Sequence, residues 1–473
     1  MTILAIDQGT TSTRALCVEA DGSSEITAAY KHRQIYPQAG WVEHDADELI
    51  QNIERCIEAS PDASAIGIDN QGESCLAWHA DSKQALSPVI VWQDNRTHAE
   101  IEKLKADGHE ARVLEIAGLP LDPYFSASKL AWLLQHNDAV AEAHSAGRLR
   151  MGTTDAYFLD RLSGRFVTDI TTASRTSLLN LETGDWDAEL CDLFGVPMQV
   201  LPQVVPTTGD FGSLSQRGRP VPVTASVVDQ QASLYGHGCR RSGDAKITFG
   251  TGAFALAVTG EQLQRSPEQG LLPTVGWQFD GSKPVYALDG GVYCAGSAIE
   301  WGRNLGLFES YDEINRFETQ AAIERDLVFV PALSGLACPH WDRTAAGLWL
   351  GMSLDTNRRD LAQALLEGVA LRAAEVIRAM DGFASIGERL SIDGGVSANP
   401  YFCQFLADVL GREVSVNAMA EVTALGTAML AASDSAVGFG DDSGRVNYRP
   451  SADRGALLER FREAVKRSQH WRQ

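Results

Sequence analysis

Residues 3–19 read ILAIDQGTTSTRALCVE, and residues 244–260 read DAKITFGTGAFALAVTG. Each is an apolar strand-like run, a Gly-Thr turn and a second apolar run. Laid side by side, Gly9-Thr10 falls on Gly250-Thr251, and Ala15-Leu16 falls near Ala255-Leu256. The match is weak letter by letter and clear as a pattern. It predicts an α/β chain built as a duplicated fold, with two similar lobes and a cleft between them.

The flanking sequence fits that reading. TILAI (2–6) and RALCV (14–18) read as short strands, and EITAAYKHRQ (25–34) as a third. DADELIQNIERCIEAS (45–60) has helical spacing, with Leu49, Ile50, Ile53 and Ile57 on one face. AIGID (65–69) and PVIVW (88–92) read as buried strands, and residues 98 to 165 as mostly helical. In the second half a long helix is expected over DLAQALLEGVALRAAEVIRAM (360–380). A strand, loop and helix follow over LSIDGGVSANPYFCQFLADVL (390–410). Glycines and charges cluster at YGHGCRRSGD (235–244), which sets the expected lobes at 1–237 and 238–473.

Bulk properties exclude several classes. The 473 residues suffice for two or more packed domains. A net charge of -22 argues against nucleic-acid binding and against docking on anionic membranes, since both need a basic face. No apolar run is long enough to span a bilayer, and MTILAIDQG at the N-terminus reads as a strand, not a signal peptide. The eight cysteines form no CxxC pair and sit mostly in apolar surroundings, as reduced thiols of a cytoplasmic protein would.

Three stretches carry chemistry. In DQGTTSTR (7–14), Gly9 lets a backbone approach, and Thr10, Thr11, Ser12 and Thr13 supply donors for phosphate. Arg14 adds positive charge, and Asp7 ends the strand where a carboxylate could hold the water shell of Mg2+. A plain β-hairpin turn explains the same letters, but the second copy, TFGTGAF, favours two hairpins clamping one polyphosphate. No GxxxxGK[ST] motif occurs, so this is not a P-loop protein. In LSIDGGVSANP, Asn399-Pro400 reads equally as a helix cap and as a ligand contact. The Gly394-Gly395 pair leaves room for a flat ring against the backbone. In SVVDQQASLYG (226–236), Asp229 follows an apolar strand and reads as a general base or as a helix N-cap.

Together these residues resemble a known set. YFSASKLAWLLQH (124–136) closely matches one signature of the FGGY family of carbohydrate kinases. GLWLGMSLDTNRRDLAQALLE (347–367) nearly matches the other, with Leu365 departing slightly. DQGTTSTRAL, VIVWQDNRT, TDITTASRTSLLNLETGDWD and DGGVSANPYFCQFLADVLG are similar to the glycerol kinases of that family in particular. The resemblance runs from residue 2 to about 435.

The resemblance implies a two-lobed, actin-like (ribonuclease-H-like) ATPase fold with ATP in the cleft and Mg2+-dependent phosphoryl transfer to a hydroxyl. By position it implies Thr10, Thr11, Ser12 and Arg14 as the first phosphate loop and Asp7 as the magnesium-site carboxylate. Thr251 falls on the second hairpin, Gly296 on a nucleotide contact, and Gly395 and Asn399 on the adenosine site. Asp229 falls on the catalytic base. Gln230, Glu73 and Tyr124 fall on polyol contacts, and Trp92 and Phe254 on apolar walls. The implied partner is a small polyol or sugar, glycerol first. A homodimer or homotetramer is compatible with it.

Two positions depart from the family's pattern. Glycerol kinases usually carry NQRE where this chain has Asn70-Gln71-Gly72-Glu73, and the arginine donates to substrate hydroxyls. Losing one such contact costs about 1–3 kcal/mol, roughly ten- to a hundredfold in binding. Gly72 is therefore expected to open a cavity that shifts the acceptor toward erythritol, another polyol or a ketose. Alternatively water, or an arginine from elsewhere, restores the contact. Glu300 stands where glutamine is common near the nucleotide, either repelling phosphate or reaching the ribose. The segment GSLSQRGRPVPVTAS (212–226) lacks a glycine-rich effector loop, so allosteric control is not expected. Outside the class stands an actin-like ATPase or sensor, which has no need for the pocket of Trp92, Tyr124, Phe254 and Gln230.

Overall fold

The structure is a computed structural model, and it describes residues 2–417, 419, 421–432 and 444–472. Strands β1 (Ile3–Gln8) and β2 (Ser12–Val18) form the first hairpin, and β3 (Ser24–Lys31) pairs with β2. Helix α1 (Ala46–Ala59) follows, capped by Asp45, which accepts from the Asp47 and Glu48 amides. Its apolar stripe, Leu49, Ile50, Ile53 and Ile57, is buried as the spacing predicts. β4 (Ala65–Asn70) lies parallel to β1. β5 (Ser213–Gln216) and β6 (Arg219–Val228) complete a six-stranded sheet in the order β5-β6-β4-β1-β2-β3. β4 is buried at every residue, which suits a central parallel strand covered on both faces.

The second sheet repeats the first. After α2 (Asp229–Gly236) come the hairpin β7 (Ala245–Phe249) and β8 (Ala253–Gly260), then β9 (Leu272–Trp277) and β10 (Val285–Val292). Helices α3 (Gly296–Asn304) and α4 (Arg358–Ala384) precede β11 (Arg389–Asp393), α5 (Pro400–Leu410) and β12 (Glu413–Val416). Helix α6 (Val422–Ala432) and strand β13 (Val446–Tyr448) follow. The order is β9-β10-β8-β7-β11-β12-β13. Thus β7, β8, β11 and β12 stand where β1, β2, β4 and β6 stand in the first sheet, with the same parallel and antiparallel pairings.

Helices α2 and α6 follow equivalent strands, β6 and β12, and cross each other. The crossing is close enough that a Cβ on Gly426 would sit 1.8 Å from the Ala232 carbonyl. On the other side of α6, a Cβ on Gly67 would meet the Thr427 carbonyl at 2.8 Å. Helix α6, late in the chain, is thereby locked against the first sheet.

A smaller four-stranded sheet is made from Glu43–His44, which precedes α1, and from Val89–Ile90, Cys75–His79 and Leu149–Thr153, which lie between β4 and β5, and helices flank it. Two expectations are corrected here. PVIVW is a strand only at Val89–Ile90. The helical stretch from 98 to 165 is broken by Leu149–Thr153, which pairs along Cys75–His79. That partner is remote in sequence, so local periodicity does not reveal the strand.

Candidate active site

The parallel strands β1, β4 and β6 are neighbours, and their register lines up their carboxyl ends. Asp7 pairs with Asp69, Asp69 pairs with Val227, and the next turn of chain starts α2 at Asp229. Carboxyl ends of parallel strands are where α/β sheets hold ligands. Three carboxylates crowd this end of the sheet. Burial pushes the Asp7 carboxyl up, against the pull of the neighbouring Asp69 side chain and the charge of Arg14. Asp69 is held well above the usual carboxylate range by burial and then by Asp7, although Thr427 Oγ1 donates to it at 2.6 Å. Asp229 is raised to about 7 by burial, then by the charges of Glu73 and Asp7, with the Gln230 amide and Lys246 acting the other way.

The first hairpin turn is tight: the Gly9 amide donates to Ser12 O at 3.1 Å. Trp92 Nε1 donates to Thr10 Oγ1 at 3.0 Å, tying the Trp92 ring to the first hairpin turn. Thr11 is exposed and Ser12 half-buried at the mouth. Arg14 is engaged: its Nη1 donates to both carboxylate oxygens of Glu421, at 3.0 and 2.8 Å. In the second hairpin, the Gly296 and Ser297 amides donate to Gly250 O and Thr251 O. A Cβ at Gly296 would lie 2.5 Å from Gly250 O, so packing of α3 on the hairpin by itself demands that glycine.

The two glycines of DGG differ. Gly394 has φ +89°, and a Cβ there would strike Phe249 O at 2.3 Å. A Cβ at Gly395 would meet nothing within 4 Å, so Gly395 is the one that leaves a face open. The Asn399 side chain is used at both ends, accepting from the Phe402 amide and donating to Ile314 O, and acts as the cap of α5. Glu300 is held by Arg303 Nη2 at 2.5 Å and by the Tyr311 hydroxyl at 2.7 Å, and both lower its pKa.

Near Asp229 lies a cluster of polar and aromatic side chains. Trp92 meets Tyr124 edge-on, centroids 5.6 Å apart, and Phe254 of the second lobe at 6.4 Å. Glu73 is buried and accepts from Arg175 Nε at 2.6 Å. Arg175 Nη1 lies 3.0 Å from Asp289 Oδ2 on β10 of the second lobe. Lys246 Nζ donates to Gln230 Oε1 at 2.7 Å and to Thr248 Oγ1 at 2.9 Å. Burial first, and then the Glu73 charge, hold the Tyr124 phenol well above its usual range. The expected cavity at Gly72 is absent beside its α-carbon. A Cβ there would touch Val228 Cγ1 at 3.3 Å and Arg175 Cγ at 3.6 Å. An arginine from elsewhere, Arg175, fills that flank.

The oxygen-rich end of β1 suits a hard divalent cation. Among the described residues no group of three or more His, Cys, Asp or Glu side chains stands ready to hold a metal alone. Mg2+ does not need one: it is commonly held by one or two carboxylates together with substrate phosphates and water. Asp69 Oδ1, buried and without a hydrogen-bond partner, adds a spare acceptor at that point.

Models of the FGGY family of carbohydrate kinases match this chain twice, the N-terminal domain over residues 2–236 and the C-terminal domain over residues 245–435. The chain belongs to the FGGY family of carbohydrate kinases. It is 42% identical to the glycerol kinase of Alkalilimnicola ehrlichii over 465 residues, covering 95% of this chain and 92% of that one. It is 38% identical to the glycerol kinase of Haloferax volcanii, covering 99% and 98%. The crystal structure of Plasmodium falciparum glycerol kinase with ADP superposes with a TM-score of 0.90 at 30% identity, covering 99% of this chain and 98% of that one. A gluconate kinase from Lactobacillus acidophilus, at 21% identity and TM-score 0.87, shares the fold.

As a kinase of this family, the protein is a two-lobed phosphotransferase. The structure brings Thr10, Trp92, Tyr124 and Phe254 into contact in turn, with Asp7, Glu73, Asp229 and Gln230 close by. Sequence reading missed Arg175, Asp289 and Lys246. The available signal was a charge inside an otherwise apolar or hydroxyl-rich strand or turn: Lys246 in AKITF, Asp289 in ALDGGV, Arg175 in TTASRTS.

Proposed function

We propose that this kinase transfers the terminal phosphoryl group of ATP to a primary hydroxyl of glycerol, giving sn-glycerol 3-phosphate. The observation that carries the proposal is the position of Asp229, between the acidic end of the first hairpin and the pocket of Glu73 and Tyr124. The chain's glycerol kinase relatives support glycerol as acceptor. A base with a pKa of about 7 is matched to accepting a proton at neutral pH. Asp229 takes the proton of the attacking hydroxyl as its oxygen bonds to phosphorus, and the β–γ bridging oxygen leaves with ADP.

The other residues position and screen. Thr10, Thr11 and Ser12 from one lobe and Thr251 from the other flank the phosphates, and Gly395 leaves room for the adenosine. Gly296 and Asn399 shape the walls through backbone packing and capping. Glu300, with Tyr311, offers an acceptor to a ribose hydroxyl. Asp7 would hold Mg2+, which would supply neutralisation of the phosphate charge. Trp92, Tyr124 and Phe254 line the carbon chain and exclude water. We divide the lobes at residues 237 and 238. Eight free, buried cysteines support a reducing, ATP-supplied cytoplasm, and no helix of the described residues is long and apolar enough to cross a membrane.

The test is coupled ADP release from purified enzyme with ATP and Mg2+, with and without glycerol. Release that depends on glycerol, with sn-glycerol 3-phosphate as product, is expected. Equal release without any polyol would sink the proposal in favour of an ATPase.

A further inference from the structure

Arg175 and Asp289 leave a donor and an acceptor unspent in the same buried place. Arg175 is 4% exposed and Asp289 is 8% exposed. Arg175 uses Nε on Glu73. Its Nη1 sits 3.0 Å from Asp289 Oδ2, yet no aligned hydrogen bond forms, and Nη1 has no other partner among the protein's groups. Asp289 Oδ1 is likewise buried without a partner. Buried polar atoms are nearly always satisfied, so an adjacent unsatisfied pair calls for an explanation.

The surroundings supply one. Arg175 Cζ lies 5.8 Å from the centroid of the Tyr124 ring and its Nε is on Glu73, so the pair stands beside the same side chains that surround the base. An alcohol oxygen both accepts and donates. It matches a guanidinium N–H on one side and a carboxylate oxygen on the other. The two partners come from different lobes, Arg175 from the segment after β4 and Asp289 from β10, so the slot is complete only with the lobes together. The flank of Gly72 is the place where Arg175 runs, and a longer side chain there would start in contact with its stem.

We propose that Arg175 Nη1 and Asp289 Oδ1 form a hydroxyl-binding subsite, taking a hydroxyl of the polyol other than the one phosphorylated. The proposal rests on the kinase reading above and adds two residues to its acceptor specificity. Each acts on the substrate directly, and lobe closure and hydroxyl recognition become one event.

The experiment compares kcat/KM for glycerol, propane-1,2-diol and propane-1,3-diol by ADP release, each diol lacking one hydroxyl that is not attacked. In the native enzyme at least one diol should fall about ten- to a hundredfold below glycerol. In Asp289→Ala that penalty should shrink to within about threefold, because glycerol loses through KM while the affected diol does not. Arg175→Lys, which keeps the charge on Glu73 but removes Nη1, should shrink the same penalty and carries the test if Asp289→Ala does not fold. A penalty left unchanged in the soluble variant overturns the subsite. Absence of polyol-dependent ADP release in the native enzyme instead overturns the kinase reading.

Discussion

In the first lobe the parallel pair β1 and β4 ends on Asp7 beside Asp69; in the second the equivalent pair β7 and β11 ends on Thr248 beside Asp393. The backbones agree and the charges do not. Burial raises both Asp7 and Asp69, the Asp7 charge raises Asp69 further, and Arg14, itself paired with Glu421, pulls Asp7 the other way without bringing it back to the usual range. Around Asp393, burial pushes the carboxyl up, but His237, Lys246 and Thr248 outweigh it, so it is held below the usual range. His237 Nε2 lies 3.3 Å from Asp393, and Lys246 reaches across to Gln230. A duplicated hairpin thus supplies the same turn twice, with an acidic strand end in one copy and a balanced one in the other. On the proposed reading a bound cation would offset the acidic end, and Asp229, whose pKa answers to both Asp7 and Lys246, feels both environments.

The largest test of this division is Asp229→Asn. It removes the base and keeps the shape, so kcat should drop about 10²–10⁴-fold while ADP binding by calorimetry holds within a few fold. Next comes Asp7→Asn, which should lower kcat about 10²–10³-fold by loosening the cation side. The two lobes should then pull the pH profile in opposite directions. The native acid limb of kcat/KM should lie near 7, because activity needs Asp229 ionised and its pKa is raised to about 7. Asp7 contributes to that rise, so Asp7→Asn should move the limb to lower pH. Lys246 opposes it, so Lys246→Met should move the limb to higher pH. Limbs that move the same way would break the comparison. Lys246→Met should also destabilise by about 1–3 kcal/mol in urea unfolding, since Gln230 Oε1 is left without its buried donor.

What was legible in the sequence follows from range. The hairpins, the strand-end Asp7 and Asp229, and the open Gly395 are written in a few consecutive letters, and both turn chemistry and strand alternation are local. Gly296 and Asn399 were visible too, but a close approach and a helix cap account for much of what their letters demand. Arg14 reads locally as a free cation, whereas its partner Glu421 lies 407 positions away. Arg175, Asp289 and Lys246 are single charges inside runs that read as strand or turn. Only tertiary packing shows that Arg175 of the first lobe meets Asp289 of the second and that Lys246 reaches Gln230. The same holds for Gly72, whose meaning changes once Arg175 is seen beside it.

Two smaller tests probe the bonds by which α6 joins the acidic lobe. Thr427→Val removes the 2.6 Å donor to Asp69 and should lower stability by about 1–3 kcal/mol in urea unfolding, because that carboxyl is buried. Glu421→Gln should do less. The Arg14 side chain is 40% exposed and Glu421 13%, and pairs so open to solvent are worth about 0–1 kcal/mol. Its consequence for the nucleotide should be of the opposite sign. Arg14 lies beside the first hairpin turn, and on the proposed reading Glu421 would compete with phosphate for the same Nη1. Neutralising Glu421 releases the guanidinium and removes a negative charge from the approach, so ADP should bind about two- to fivefold tighter at low salt. The gain should fade as salt is raised, since an exposed pair is screened. A tenfold loss of ADP affinity would show instead that Glu421 aims Arg14 at the phosphates, and the second lobe would then share in building the first hairpin's site.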